Sequence, residues 1–89
     1  MKNWSVYIIQ CTDDSLYTGI TIDVEKRYQQ HLLQQGAKYF RARKPKELVY
    51  LELEHDRSSA SKREFTIKQL SRIDKFSLIS SEQNQLRQI

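Results

Sequence analysis

Val6-Tyr7-Ile8-Ile9-Gln10-Cys11-Thr12-Asp13-Asp14-Ser15-Leu16-Tyr17-Thr18-Gly19 holds two short apolar runs on either side of a polar tetrad. The runs have strand composition, and Thr12-Asp13-Asp14-Ser15 is rich in side chains that hydrogen-bond their own backbone and so favour a turn. One β-hairpin follows, with Tyr7 on its first strand and Tyr17 on its second. Side chains alternate faces along a strand and opposed residues share a face, so the phenols lie together only where opposed residue numbers add to an even sum. A loop of three or five residues meets that condition. Pairing Cys11 with Ser15 sets Ile9 opposite Tyr17 and Tyr7 opposite Gly19, where the missing side chain leaves room beside the ring. A two-residue loop on Asp13-Asp14 gives an odd sum and separates the tyrosines. Aromatic residues suit any pleated, half-buried surface, so the pair by itself fixes no function.

After the hairpin, Asp23 is placed to cap a helix whose apolar positions are Val24, Tyr28 and Leu32, with Gly36 as its stop. Pro45 discourages further helix. Leu48 to Leu53 reads as a third strand, with Val49, Leu51 and Leu53 toward the core and Tyr50, Glu52 and Glu54 on the other side. Asp56, Ser58 and Ser59 offer caps for a second helix to about Leu70, buried through Ala60, Ile67 and Leu70. A third, after a break near Ser71, carries Ile73, Phe76 and Ile79. The order β-β-α-β-α-α predicts an α+β fold: a small, three-stranded, mainly antiparallel sheet flanked by helices. Residues 1–79 form one domain, and the polar tail 80–89 is expected to fray.

With 89 residues, 38% of them hydrophobic, the chain supports one modest core. Cys11 is the only cysteine, which excludes an intramolecular disulfide and a cysteine-based zinc cluster and points to the cytoplasm. The N-terminal apolar stretch, broken by Ser5 and Gln10, fits neither a signal-peptide core nor a membrane span. Net charge is +4, unevenly distributed: Lys26 to Lys46 contains seven lysines and arginines and no acidic residue. Five of those seven, Lys38, Arg41, Arg43, Lys44 and Lys46, surround Tyr39 and Phe40. Clustered cations of one sign with interleaved aromatics suit a phosphate backbone and unpaired bases, although a solvated loop has the same composition.

Arg27 and His31, four apart, project from one face of the first helix. An arginine fork suits a phosphate, and an imidazole can exchange a proton near neutral pH. Glu64 falls beside the Ala60/Ile67 stripe, where an unpaired carboxylate is costly and a functional one is a reason to tolerate it. Ser61-Lys62-Arg63-Glu64 also matches a capping box, which would make Glu64 a helix-start residue; the earlier caps at Asp56 to Ser59 weigh against that.

Together, Val6-Tyr7-Ile8-Ile9, Tyr17-Thr18-Gly19, Arg27, His31 and Glu64 resemble the GIY-YIG nuclease superfamily, in particular its small stand-alone bacterial proteins of unestablished role. Gly36-Ala37-Lys38-Tyr39 and Pro45-Lys46-Glu47-Leu48-Val49-Tyr50 add to the likeness, which covers roughly residues 3 to 79. The resemblance implies hydrolysis of a nucleic-acid phosphodiester, DNA in preference to RNA, by in-line attack of water, in a structure-selective repair or recombination setting. It makes Tyr7 the general base in contact with the attacking water, Tyr17 and His31 the residues that orient that water, Arg27 a phosphate clamp, and Glu64 the ligand of one Mg²⁺ or Mn²⁺ ion. Lys38, Tyr39, Arg41, Arg43, Lys44 and Lys46 are the candidate nucleic-acid contacts. A nucleic-acid-binding module without efficient cleavage and an accessory subunit with a protein partner are the alternatives, the chain being a monomer or weak dimer. Departures are Ser5 where the first motif has glycine, Thr18 in the second motif, Ile20 where some members have lysine, and no asparagine between Glu64 and Asn84.

Overall fold

The structure is a computed structural model describing residues 2–33 and 38–86, with the backbone alone of Arg41. Strands β1 (Trp4–Cys11), β2 (Leu16–Thr21) and β3 (Pro45–His55) form one antiparallel sheet in the order β2-β1-β3. Helix α1 (Val24–Leu32) and a 3₁₀ turn (Lys38–Arg41) separate β2 from β3, and α2 (Arg57–Gln69) and α3 (Arg72–Ile79) follow β3. Among the described residues no helix is long and apolar enough to cross a membrane.

The hairpin adopts the even-sum register: Ile9 faces Tyr17 and Tyr7 faces Gly19. A three-residue loop sets it. Asp14 N–H donates to the Cys11 carbonyl and Cys11 N–H to the Ser15 carbonyl, both at 2.9 Å, with Asp14 in the left-handed region at φ 65°. Asp tolerates that conformation better than most residues, and a turn closed by a left-handed residue is a common hairpin solution. Each helix begins at its polar cap: Asp23 accepts from Lys26 N–H, Asp56 from Ser59 N–H, and Ser71 from Asp74 N–H. Asp56 and Ser59 form a reciprocal capping box, so Glu64 lies in mid-helix.

Both faces of the sheet are covered. Val6, Ile8 and Tyr50 pack against Ala60 and Ile67 of α2 and Leu78 and Ile79 of α3. Tyr7, Ile9, Cys11 and Leu51 pack against Phe40 and, at the margin, Val24 and Tyr28 of α1. This corrects three expectations. Tyr50 is buried in the α2/α3 layer rather than on an outer face, and Leu48 joins the Tyr7 face as Ile9's partner, because a bulge at Val49 shifts the pairing from Ile8↔Tyr50 to Ile9↔Leu48. On α1, Leu32 is exposed and His31 is fully buried, so the inward stripe runs 24/28/31. On α3, Ile73 is exposed and Leu78 takes a core position. Gly36 lies outside the described residues.

Within the described residues, Asn84 and Gln85 of the tail are hydrogen-bonded to β3. Gln85 N–H donates to the Leu51 carbonyl at 2.8 Å, and the Asn84 and Gln85 side-chain oxygens accept from Leu51 and Leu53 N–H at 3.2 and 2.7 Å. Asn84 Nδ2 also donates to the Val49 carbonyl at 2.8 Å. The β3 edge therefore has partners that sequence composition did not suggest.

Candidate active site

Gly19 explains how the phenol of Tyr7 is accommodated: a Cβ at position 19 would lie 2.5 Å from Tyr7 Oη and 2.6 Å from Cζ. The ring therefore lies over the glycine. Tyr7 is buried and cannot swing away without breaking its contact with α1, so Gly19→Ala is expected to cost about 1–3 kcal/mol, as overpacking does. Chemical denaturation measures that cost, and stability equal to wild type would show that the ring yields freely.

Helix α1 supplies the partner. Tyr7 Oη lies 2.8 Å from His31 Nε2, a buried contact across 24 residues of chain. The Tyr17 ring is 6.3 Å from Tyr7 and 5.4 Å from His31 between centroids, and Phe40 closes the far side at 4.8 Å from Tyr17 and 4.3 Å from His31. Phe40 belongs to the wall of this cluster and is fully buried, so the expectation that it stacks on a base is corrected.

Burial raises the Tyr7 phenol well above the ordinary tyrosine range, and Tyr17 adds to the effect; Arg27 opposes it, and the Glu64 charge raises it slightly. Arg27, whose positive charge acts on the phenol, is half-buried on α1 with Nη1 donating to Gln30 Oε1 at 3.0 Å. Glu64 comes from the opposite layer, on α2, which packs against β1 and β2. Its half-buried carboxylate meets Lys68 at 3.4 Å, one turn further along. Tyr7, Tyr17 and His31 thus share one cluster, with Arg27 and Glu64 acting on it from two different helices.

His31 is pushed down to about 4 by burial and then by the positive charge of Arg27, so the imidazole is neutral at pH 7. Its Nδ1 is buried with no hydrogen-bond partner among the described residues. The unfolded chain, with His31 near 6.5, takes up the proton first as pH falls. Stability associated with His31 is therefore intact above about pH 6.5 and is lost progressively down to about 4. Between pH 8 and 5 the expected loss is about 2 kcal/mol, read from urea denaturation, and the His31→Gln variant should lack that slope.

The basic segment sits against this cluster. Tyr39, half-buried, is 5.2 Å from Tyr17, and the Arg43 guanidinium lies 4.7 Å over the Tyr39 ring. Arg43 also pairs with Asp13 at 3.0 Å across the hairpin turn. Lys38, Lys44 and Lys46 are exposed, and the Arg41 side chain lies outside the described residues. A second charged cluster is internally satisfied: Glu52 accepts from Tyr50, from His55 Nε2 at 2.8 Å and from Arg63 Nε at 2.8 Å. Burial pushes the Glu52 carboxyl up, but those hydrogen bonds outweigh it and hold it below the ordinary range.

The sequence profile described as the GIY-YIG catalytic domain matches residues 3–77. This chain belongs to the GIY-YIG family. Among its GIY-YIG relatives are uncharacterised UPF0213 proteins. One from Desulfotalea psychrophila is 49% identical over 81 residues, covering 90% of this chain and 74% of the relative. Another, from Staphylococcus saprophyticus, is 51% identical over 80 residues, covering 90% and 98%. A solution NMR structure of a UPF0213 protein from Bacillus halodurans superposes with a TM-score of 0.56 at 42% identity, covering 86% of this chain and 82% of that one.

Sequence reasoning within the GIY-YIG pattern missed Phe40 as a wall of the site and Gln30 as the residue that holds Arg27. The 24/28/31 stripe was the available signal for His31 as a buried residue. For a metal ion, the donor set is sparse: among the described residues no three His, Cys, Asp or Glu side chains gather as a ligand cluster. Glu64 alone fits a hard cation such as Mg²⁺, which keeps several waters and takes phosphate oxygens from substrate.

Proposed function

We propose that this protein is a divalent-metal-dependent endonuclease that hydrolyses DNA phosphodiester bonds, selecting by the structure of the DNA. The observation carrying this reading is the buried 2.8 Å contact between Tyr7 Oη and His31 Nε2, with the positive charge of Arg27 acting on the phenol. A phenol whose proton is held more tightly than usual cannot take one from water until it gives up its own. His31 Nε2 is the acceptor within reach. As water attacks phosphorus and the bond to the leaving sugar oxygen breaks, the water proton passes to Tyr7 and the Tyr7 proton to His31. Arg27 binds a non-bridging oxygen, and the bound phosphate offsets the charge that holds His31 down, making the imidazole a better acceptor as substrate arrives. Tyr17 and Phe40 keep the imidazole dry and oriented. Glu64 would hold one Mg²⁺ or Mn²⁺, which supplies charge stabilisation at the phosphate and the leaving oxygen.

Lys38, Lys44 and Lys46, with Arg43 as a tethered fourth cation, extend positive charge from the cluster along the path of a strand. A nucleic-acid-binding module is the second reading. It is favoured by Ile20 in the lysine position and by Asn84, whose amide is engaged by the backbone of β3 rather than placed in a helix after Glu64. Incubating the protein with labelled duplex, nicked, flap and single-stranded DNA, with Mg²⁺ or Mn²⁺ and then with chelator, separates the two. Metal-dependent cutting supports the enzyme. Salt-sensitive binding without cutting in any metal supports the module and overturns the nuclease.

A further inference from the structure

At the open end of the hairpin, where β1 begins and β2 ends, an open cleft of about 390 Å³ runs beside Arg27. Its apolar side is Trp4, Ile20 and Ile22, and its polar side is Lys26, Arg27 and Gln30 from α1. Ile22 is 60% exposed, and Lys26 is exposed as well. Asp23 also borders the cleft, but its carboxylate accepts from Lys26 N–H at 3.1 Å to cap α1. Gln30 gives its carbonyl oxygen to Arg27, leaving the amide nitrogen to donate. Thr21 Oγ1 is engaged by Asp23 N–H at 3.2 Å.

We propose that this cleft receives one unpaired nucleotide of the substrate strand, next to the phosphate held by Arg27; the proposal rests on the nuclease reading and narrows it to strands with an unpaired residue at the cut. The two sides match a nucleotide in kind. An apolar wall takes the face of a base, which stacks readily on aromatic and aliphatic surface whatever its identity. The Gln30 amide offers a donor to a base edge. Lys26 stands ready for the next phosphate along, and Arg27 is the shared wall between cleft and tyrosine cluster. The volume falls in the range of small-ligand sites, about 300–1,000 Å³. A base inside an intact duplex presents neither its face nor its pairing edge, so blunt duplex leaves the cleft empty. Selection for flaps, nicks and single strands then comes from the cleft, while the chemistry remains with Tyr7, His31 and Glu64.

Trp4 is the only tryptophan in the sequence, so tryptophan emission has one source, a residue that borders the cleft while also packing on the core and lying 5.7 Å from the Arg57 guanidinium. A labelled oligothymidylate and a blunt duplex of equal length are titrated against the full chain without metal, following label anisotropy and Trp4 emission together. The single strand is expected to quench Trp4, and the duplex to raise anisotropy with Trp4 unchanged. Ile22→Asn should weaken single-strand binding about tenfold, the scale of one lost stacking contact, whereas Ile22→Phe should keep it within about twofold. Single-strand binding with Trp4 emission unmoved, or with Ile22→Asn as tight as wild type, overturns the cleft and leaves the nuclease reading standing. If neither DNA changes the anisotropy, both fall.

Discussion

Tyr7→Phe is expected to slow metal-dependent DNA cleavage by about 10²–10⁴-fold, the usual contribution of a positioned proton-transfer group. The substitution keeps the ring that fills the space over Gly19 and removes only the oxygen that meets His31 Nε2. It leaves that buried nitrogen unpaired, so a stability loss of about 1–3 kcal/mol accompanies the kinetic effect and is measured separately by denaturation. The relay makes a sharper demand on pairs of variants. If the proton passes from water through Tyr7 to His31, removing either end breaks the same chain. The Tyr7→Phe/His31→Gln double variant should then be no slower than the slower single variant, within about threefold. Multiplying effects would mean that the two residues act independently. Cleavage by Tyr7→Phe at the wild-type rate would remove the phenol from the mechanism altogether.

Glu64→Gln is expected to reduce cleavage roughly a thousandfold or more, because charge stabilisation by a metal ion is worth several kcal/mol in the transition state. The amide matches the carboxylate in shape and lacks its charge. Stability should change by no more than about 0.5 kcal/mol, since among the described residues Glu64 forms one ion pair, the 3.4 Å contact with Lys68, one helical turn away and partly exposed. DNA affinity without metal should hold or rise, as a negative charge near the phosphate path is lost. Cleavage that persists in Glu64→Gln with unaltered metal dependence would show that the ion is held elsewhere. A large fall in thermal stability would instead mark Glu64 as a structural residue of α2.

Much of the fold could be read from short stretches of chain. Cys11-Thr12-Asp13-Asp14-Ser15 contains its own turn chemistry, and the three-residue loop that it adopts, one of the lengths its composition allows, sets the register that brings Tyr7 and Tyr17 to one face. Asp23, Asp56 and Ser71 mark helix starts because a cap acts on backbone N–H groups two or three residues away. The order β-β-α-β-α-α and the presence of five candidate site residues required nothing more distant. The surroundings of the site were less legible. Nothing local distinguishes Phe40, a wall of the cluster, from Tyr39, or foretells that Arg43 is tethered to Asp13 across 30 residues.

The sequence by itself determined the hairpin, the helix caps and the presence of residue types suited to proton transfer, phosphate binding and metal binding, while the choice among the loop lengths it allows, and so the register, came from the structure. Tertiary structure decided that His31 rather than Leu32 turns inward, that a bulge at Val49 moves Leu48 to the Tyr7 face, and that Asn84 and Gln85 close the β3 edge. The division has one physical cause. Turn and cap energies arise between residues a few positions apart, whereas the Tyr7–His31 and Leu51–Asn84 contacts join residues 24 and 33 apart and form only when the packed layers bring them together.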